Sequence, residues 1–295
     1  MLFRSRAFPA ALRPAAYARE FLPHLRATGA EVVLATVPVP GCEFYQPHNG
    51  ILAAAIPAHL DPLPWGVRHL RRANPWRVAH FKVLRSYEAR ALSPPARVLA
   101  LSPRVVADLD RFYPDVRPVL LRPGVDLARF RPDGEKNGAP LLLFVATNPQ
   151  LKGLAAARQA LERLPGARLI VVGTGGPSSE RIEYRPHESD LPALYRRADV
   201  LVHPTWYDTA SLVVLEALAS GTPVVTTTRD GNADLAVEGG GAALDEPGDH
   251  EALAAAVASV LARRPGNRPR HVAERFPEQE MLDRVVEILT CGSAA

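Results

Sequence analysis

From residue 141 onward the chain alternates two kinds of segment, and that alternation restricts the fold more than any other feature of the sequence. Runs that are apolar almost throughout, "LLLFVAT" at 141–147, "ARLIVVG" at 167–173, "DVLVHPT" at 199–205 and "PVVTTT" at 223–228, read as strands, with a shorter "RIEYR" at 181–185. Between them "LKGLAAARQALERL", "DLPALYRRA" and "ASLVVLEALAS" repeat their apolar residues every three or four positions, and two further helices are expected near 248–264 and 278–290. Strands without a polar face must be covered on both sides, so this half is expected to be a doubly wound α/β domain with a parallel sheet.

The first half alternates less fully. "EVVLATV" and "ARVLALS" read as strands, a long basic helical region covers roughly 67–92 between them, and a helix is expected near 103–112. A strand in "PVLLRPG" then runs into a Pro-Gly turn, and a polar stretch containing Asp133, Gly134, Lys136, Asn137 and Gly138 precedes the next apolar run. The expected domains are therefore 1–132 and 133–295. Charge divides the same way: residues 1–132 hold 19 Lys and Arg against 9 Asp and Glu, and residues 133–295 hold 16 against 22. Such asymmetry suggests surfaces with different tasks. No internal repeat is evident.

Several classes are disfavoured. No window offers eighteen uninterrupted apolar residues, and Arg and Pro interrupt the apolar stretches at the start, so neither a spanning helix nor a signal-peptide core is expected. The Arg-rich, acid-poor start imitates a transit peptide but is not read as one. Cys42 and Cys291 are the only cysteines, too few for a disulfide framework or a thiolate zinc site, which favours a reducing, cytoplasmic setting.

The stretch "DTASLVVLE" carries Asp208 and Glu216 on either side of an apolar run. Leu212, Leu215, Leu218 and Ala219 form one buried stripe on a helix entered through Asp208 to Ser211. Read alone, Asp208 could be only a helix-start acid and Glu216 a solvated side chain. The turn "HPTWYDTA", however, follows a strand at the end of a parallel sheet where ligands bind, and a helix N-terminus there offers amides to phosphate. Eight residues at helical rise span about 12 Å, enough to set the two acids well apart along one ligand.

These residues resemble the retaining, nucleotide-sugar-dependent glycosyltransferases of family 4, whose GT-B fold has two Rossmann-like domains with parallel sheets. The resemblance runs from about Val98 to Leu289, is densest in "DLPALYRRADVLVHPTWYDTASLVVLEALASGTPVVTTTRDGNADL", and is nearest to the bacterial lipopolysaccharide-core branch. "LRPGVDLARFRP" is similar to the segment that precedes the family's second domain.

The resemblance implies a transfer of sugar from a nucleotide diphosphate donor to an acceptor hydroxyl with retention. Asp208 would face the donor sugar, the amides of Ser211, Leu212 and Val213 the sugar and diphosphate, Glu216 the ribose, and Lys152 the leaving diphosphate. Arg185, Pro186 and His187 would meet the base, and His48, in "CEFYQPHNG", would act beside Asp208 in catalysis. No metal or other cofactor is implied. The acceptor would be a glycan or a lipid-linked glycan. The basic residues from Arg68 to Arg90, interleaved with Trp76, Phe81 and Tyr87, suit an anionic membrane surface, which would place the protein peripherally at the inner face. No motif suggests nucleic acid.

Four departures from the family pattern stand out: Asp208 for Glu, Thr147 for an Arg, His187 for a Gly, and a first domain expected to lack about one strand-helix-strand unit. The first, second and last keep open a catalytically silent binding protein, His187 leaves the base unread, and a nucleotide-sugar epimerase that shares the donor site is a further alternative. The "GTGG" at 173–176 lacks a Walker lysine and reads as a strand-to-loop turn.

Overall fold

The computed structural model describes residues 32–133 and 138–291, with Pro23, Ala27 and Gly29 before them. The Arg-rich start and the centre of the polar linker lie outside the described residues. The chain forms two compact units, Met1–Leu121 with Arg284–Ala295, and Arg122–Asp283.

The first unit contains a parallel sheet in the order β1 (Leu34–Ala35), β2 (Phe44–Tyr45), β3 (Arg97–Ala100), β4 (Val119–Leu120). Among the described residues up to Leu121 its helices are α1 (Leu52–Ala58), α2 (Trp65–Ala73), α3 (Pro75–Ala91) and α4 (Pro103–Phe112). Sequence periodicity predicts a single helix over 67–92, but the structure has two. Pro75 has no amide proton to continue a helix, so it serves as the first residue of α3, and the Asn74 side chain caps that helix by accepting from Arg77 N at 3.1 Å. Ser102 caps α4 in the same way.

One buried acid joins three of these elements. Glu88 of α3 is inaccessible to solvent; its Oε1 accepts from Leu52 N at the start of α1 (2.8 Å), and its Oε2 accepts from the Tyr113 hydroxyl just beyond α4 (2.9 Å). Burial pushes its carboxyl up to about 7, although both bonds and the nearby Arg85 charge oppose the rise.

The second unit has a six-stranded parallel sheet. Its strands are β5 (Leu141–Val145), β6 (Arg168–Val172), β7 (Ile182–Arg185), β8 (Val200–Val202), β9 (Val224–Thr227) and β10 (Ala242–Leu244), in the spatial order β10-β9-β8-β5-β6-β7. The chain builds outward from β5 through β6 and β7, then returns to β8 and builds the other way. The strand order therefore reverses between β5 and β8, the point where ligands bind in open α/β sheets.

Helices α5 (Leu154–Glu162), α6 (Leu191–Arg197), α7 (Leu212–Ala219), α8 (Ala233–Glu238), α9 (His250–Arg263), α10 (Arg268–Ala273) and α11 (Glu278–Cys291) complete the described residues. Two apolar clusters lie on the two faces of the sheet. One joins α6, α7, α8 and α10 to Leu143, Ile170 and Leu201, and the other joins α5 and α9 to Leu142, Phe144 and Val171. Alternate residues of the same strands serve opposite clusters, as strands apolar on both faces require.

The division between units falls before "RPGVDLARFRP", not at 133. Val125 pairs with Pro277, and Val125 N donates to Phe276 O at 2.9 Å. Phe130 meets Tyr195 edge-on within the core. The segment is thus stitched into the second unit.

Glu88 makes the first unit's stability depend on pH. Its folded value, about 7, exceeds the ordinary 4.5, so folding takes up a proton between them, and its contribution is complete below about 4.5 and lost as pH rises through about 7. The loss is expected to be roughly 3 kcal/mol. Glu88→Gln, which cannot titrate, should flatten this slope, as measured by urea unfolding midpoints across that range.

Candidate functional site

The loops after β5 and β8 meet in a close seam. Gly153 has φ +80°, and a Cβ on it would lie 2.2 Å from the Pro204 carbonyl oxygen, so only glycine permits this approach. Trp206 N donates to Leu151 O at 2.9 Å, and the Thr205 hydroxyl donates to Tyr207 O at 3.0 Å. The seam carries Lys152 to Asp208. The Lys152 ammonium pairs with Asp208 Oδ2 and donates to Tyr207 O at 3.3 Å, and both charged side chains are largely shielded from water.

Asp208 is fixed from other directions as well. Its amide donates to Arg229 O at 3.1 Å and its carbonyl accepts from Gly231 N at 3.0 Å, which joins this loop to the one leaving β9. Its Oδ1 accepts from Ala210 N. Burial alone would raise its carboxyl, but His203, with Nε2 3.6 Å from Oδ2, and the Lys152 charge outweigh it and hold the carboxyl well below the ordinary carboxylate range.

Helix α7 begins only at Leu212, so helical rise does not carry the chain from Asp208 to Glu216; Asp208 stands in the preceding loop. Ser211 is the N-cap residue, but its hydroxyl is turned inward, donating to Asp230 Oδ2 at 2.8 Å instead of capping. The first amides of a helix have no partners within it, and those of Leu212 and Val213 follow this cap. Leu212 is exposed, so the expected buried stripe comprises Leu215, Leu218 and Ala219 without it, and Val213 is half-buried. One turn further on, half-buried Glu216 accepts from the Tyr195 hydroxyl at 2.8 Å, and burial raises its carboxyl above the ordinary value against that bond.

Arg185 ends β7, at the edge of the sheet, where it pairs with Glu183 at 2.7 Å and Glu188 at 2.8 Å, and exposed Pro186 and His187 follow. In the "GTGG" turn, Gly173 presses on the end of β5, where a Cβ would lie 2.7 Å from Ala146 O. Thr147 is exposed beside it. Thus Lys152, Asp208 and Ser211 are brought together, with Leu212, Val213 and Glu216 along the helix that follows. His48 belongs to the first unit, on the exposed turn after β2, with Nε2 2.8 Å from Gln46 Oε1 and burial lowering its proton affinity.

Sequence reasoning did not single out His203, Asp230, Thr226 or Asn232. All four are buried at the carboxyl ends of β8 and β9 or just after them, and they contact Asp208 or Ser211 directly or through one another. An ionisable residue ending a wholly apolar strand was the available signal. Among the described residues no group of three or more His, Cys, Asp or Glu side chains is arranged to hold a metal ion.

A second surface lies on the first unit. Helix α2 buries none of its residues, and Trp65, Leu70 and Trp76 are 70%, 75% and 85% exposed beside Arg68, Arg71 and Arg77. Among the described residues no helix is long and apolar enough to cross a membrane.

Residues 139–263 match the family model for Glycosyl transferases group 1. A D-inositol 3-phosphate glycosyltransferase of Nocardia farcinica is 34% identical over 175 residues, 45% of this chain and 38% of that protein. The chain thus spans well under half the length of that relative. The crystal structure of WaaG, described as a glycosyltransferase involved in lipopolysaccharide biosynthesis, superposes with a TM-score of 0.79 at 21% identity, over 98% of this chain and 86% of that one. HepE from Anabaena, solved in complex with UDP-glucose, gives 0.65 at 17% identity, over 84% and 72%. The chain carries a glycosyl transferases group 1 domain, and its fold class is GT-B.

The Lys152–Asp208 pair should behave as one energetic unit. Lys152→Met and Asp208→Asn are each expected to cost about 2 kcal/mol by stranding a partner, and the double variant clearly less than their sum. Since the Asp208 carboxyl is depressed in the fold, its contribution is present above the ordinary value of about 3.9 and is lost only as pH falls through its lower folded value. Urea unfolding should therefore show the wild type retaining its advantage over Asp208→Asn near pH ~5 and losing it only in stronger acid.

Proposed function

We propose that the protein is a retaining glycosyltransferase that uses a nucleotide diphosphate sugar. One observation carries the reading: Lys152, Asp208 and the amino end of α7 converge where the order of a parallel sheet reverses. A diphosphate needs a cation and free amides, and a sugar needs an acid near its hydroxyls; this point supplies all three. The UDP-glucose held by HepE supports the same donor class.

In this proposal the diphosphate lies over the amides of Ser211, Leu212 and Val213 and draws on Lys152, Asp208 faces the sugar, and Glu216 takes the ribose hydroxyls. Arg185, Pro186 and His187 meet the base. The bond from the anomeric carbon to the diphosphate oxygen breaks with its electron pair leaving on the diphosphate. The acceptor oxygen attacks from the same face, and its proton passes to the departing diphosphate. Lys152 and the helix amides stabilise that departing charge. Asp208 stabilises the oxocarbenium-like sugar, and so, by resemblance, does His48.

The acceptor is proposed to be a glycan on a lipid or cell-envelope carrier, reached from the cytoplasmic face of a membrane. The exposed indoles and leucine among the arginines of α2 and α3 support this: basic side chains attract anionic headgroups while indoles settle at the interface. Arg71→Gln, Arg72→Gln and Arg77→Gln combined should weaken cosedimentation with phosphatidylglycerol-containing vesicles and leave nucleotide binding intact. Undiminished binding to neutral vesicles in high salt would exclude the membrane role.

The donor site is tested by calorimetry with UDP, GDP, ADP and UDP-glucose. Glu216→Gln should weaken nucleoside diphosphate and nucleotide sugar alike, by about tenfold, because it loses charge-assisted bonds. Asp208→Asn should weaken only the nucleotide sugar. If both variants are less stable yet bind every nucleotide as the wild type does, the donor-site reading is wrong.

A further inference from the structure

Beneath the amino end of α7 lies a buried polar group that the proposed chemistry does not use. His203 Nε2 is 3.2 Å from Ser211 Oγ, Ser211 Oγ is 2.8 Å from Asp230 Oδ2, Asp230 Oδ2 is 3.0 Å from Thr226 Oγ1, and Thr226 Oγ1 is 2.8 Å from the His203 carbonyl oxygen. The four contacts close into a ring, and all four residues are at most 3% exposed.

Counting protons around the ring assigns its donors. A carbonyl oxygen only accepts, so the single Thr226 proton goes to His203 O. Thr226 Oγ1 then has no proton for Asp230 Oδ2, and their contact requires one on the acid. Ser211 gives its only proton to Asp230, so it must accept from His203 Nε2, which therefore carries a hydrogen. A proton on Nδ1 would be a buried donor without an acceptor, because Nδ1 has no hydrogen-bond partner among the described residues.

Resting on the donor reading above, we propose that Asp230 keeps its proton in the folded protein and, together with His203, acts as a positioning residue for the donor diphosphate. The ring fixes Ser211, and Asn232 tightens the grip: its amide donates to Asp230 Oδ1 at 2.9 Å and its side chain to Ser211 O at 3.0 Å. Since Ser211 immediately precedes Leu212, the ring sets where the first amides of α7 stand. Because Asp230 is neutral, no second negative charge opposes an anion there. Asp208 is the negative charge that acts on the acid, and Lys152 pairs with it. Burial, and then the Asp208 charge, push the Asp230 carboxyl above its ordinary value, and the His203 contact and the bonds from Asn232 and Ser211 offset this in part.

Infrared difference spectroscopy of the wild type against Asp230→Asn, near neutral pH, tests the proton directly. A protonated-carboxyl band that Asp230→Asn removes is the expected result, and a carboxylate band in its place would overturn the proposal. The positioning role is read from calorimetry with UDP, GDP or ADP, using whichever the wild type binds most tightly. His203→Leu should lose about tenfold in affinity, and His203→Gln, whose amide reaches Ser211 as Nε2–H does, should recover most of it. A structural role alone would not give that recovery. Equal affinity in His203→Leu and wild type, or equal loss in both variants, would overturn the positioning role. If His203→Leu does not fold, His203→Gln decides alone, and an affinity more than about tenfold below the wild type counts against the proposal. A missing protonated band in a protein that binds nucleotide would sink the ring and leave the donor site standing. The band in a protein that binds no nucleotide would sink the donor reading, and the ring's role with it.

Discussion

The site depends on one close approach, the packing of Gly153 against the Pro204 carbonyl. Any side chain at 153 would force the loops after β5 and β8 apart. With them in contact, Trp206 N can reach Leu151 O, and the Lys152 ammonium comes to Asp208. The approach is available because β5 and β8 are neighbours in the sheet although α5, β6, β7 and α6 separate them in the chain. Asp208, held from one side by this seam, is held from the other by backbone pairing with the loop after β9. Three strand ends thus fix one carboxylate.

Much of this was legible in the sequence because apolar strands buried on both faces have a pattern of their own. The runs at 141, 167, 199 and 223 became β5, β6, β8 and β9 with each end within three residues. Elements of low pattern content were not legible: β10 has three residues, and α8 and α10 have six each, too few for a helical period to emerge. Pro75 could have marked the break between α2 and α3, but the basic residues continue across it and mask the boundary. Lys152 and Asp208 could be chosen separately, whereas their pairing across 56 positions depends on the order of the strands. His203 and Asp230 went unselected because each follows an apolar run that accounts for the segment without them.

The two units also use buried carboxyls differently. Glu88 is bonded to a backbone amide and a phenol, and burial outweighs these bonds and the nearby Arg85 charge, so its carboxyl rises. Asp208 is shielded too, but Lys152 and His203 reverse the outcome. Asp230 lies beside Asp208, and its neighbour's charge adds to burial. Two acids that share His203 are therefore driven in opposite directions, Asp208 down and Asp230 up, by whether a cation stands next to them.

That division bears on how an anion could be held. Lys152 is already paired, so a diphosphate must compete with Asp208 for it, and at an effective dielectric of about 20 a pair ~4 Å apart is worth about 4 kcal/mol. Thr147, exposed at the end of β5, brings no second charge. Compensation then falls to the amino end of α7, worth about half a unit charge, and to its amides. So modest a positive end attracts an anion only if nothing negative lies beneath it. An ionised Asp230, bonded to the N-cap hydroxyl, would cancel it. The protonated acid that we propose leaves it intact, and for that reason the charge balance of the proposed donor site is set as much by a buried residue that touches no ligand as by the lysine that would.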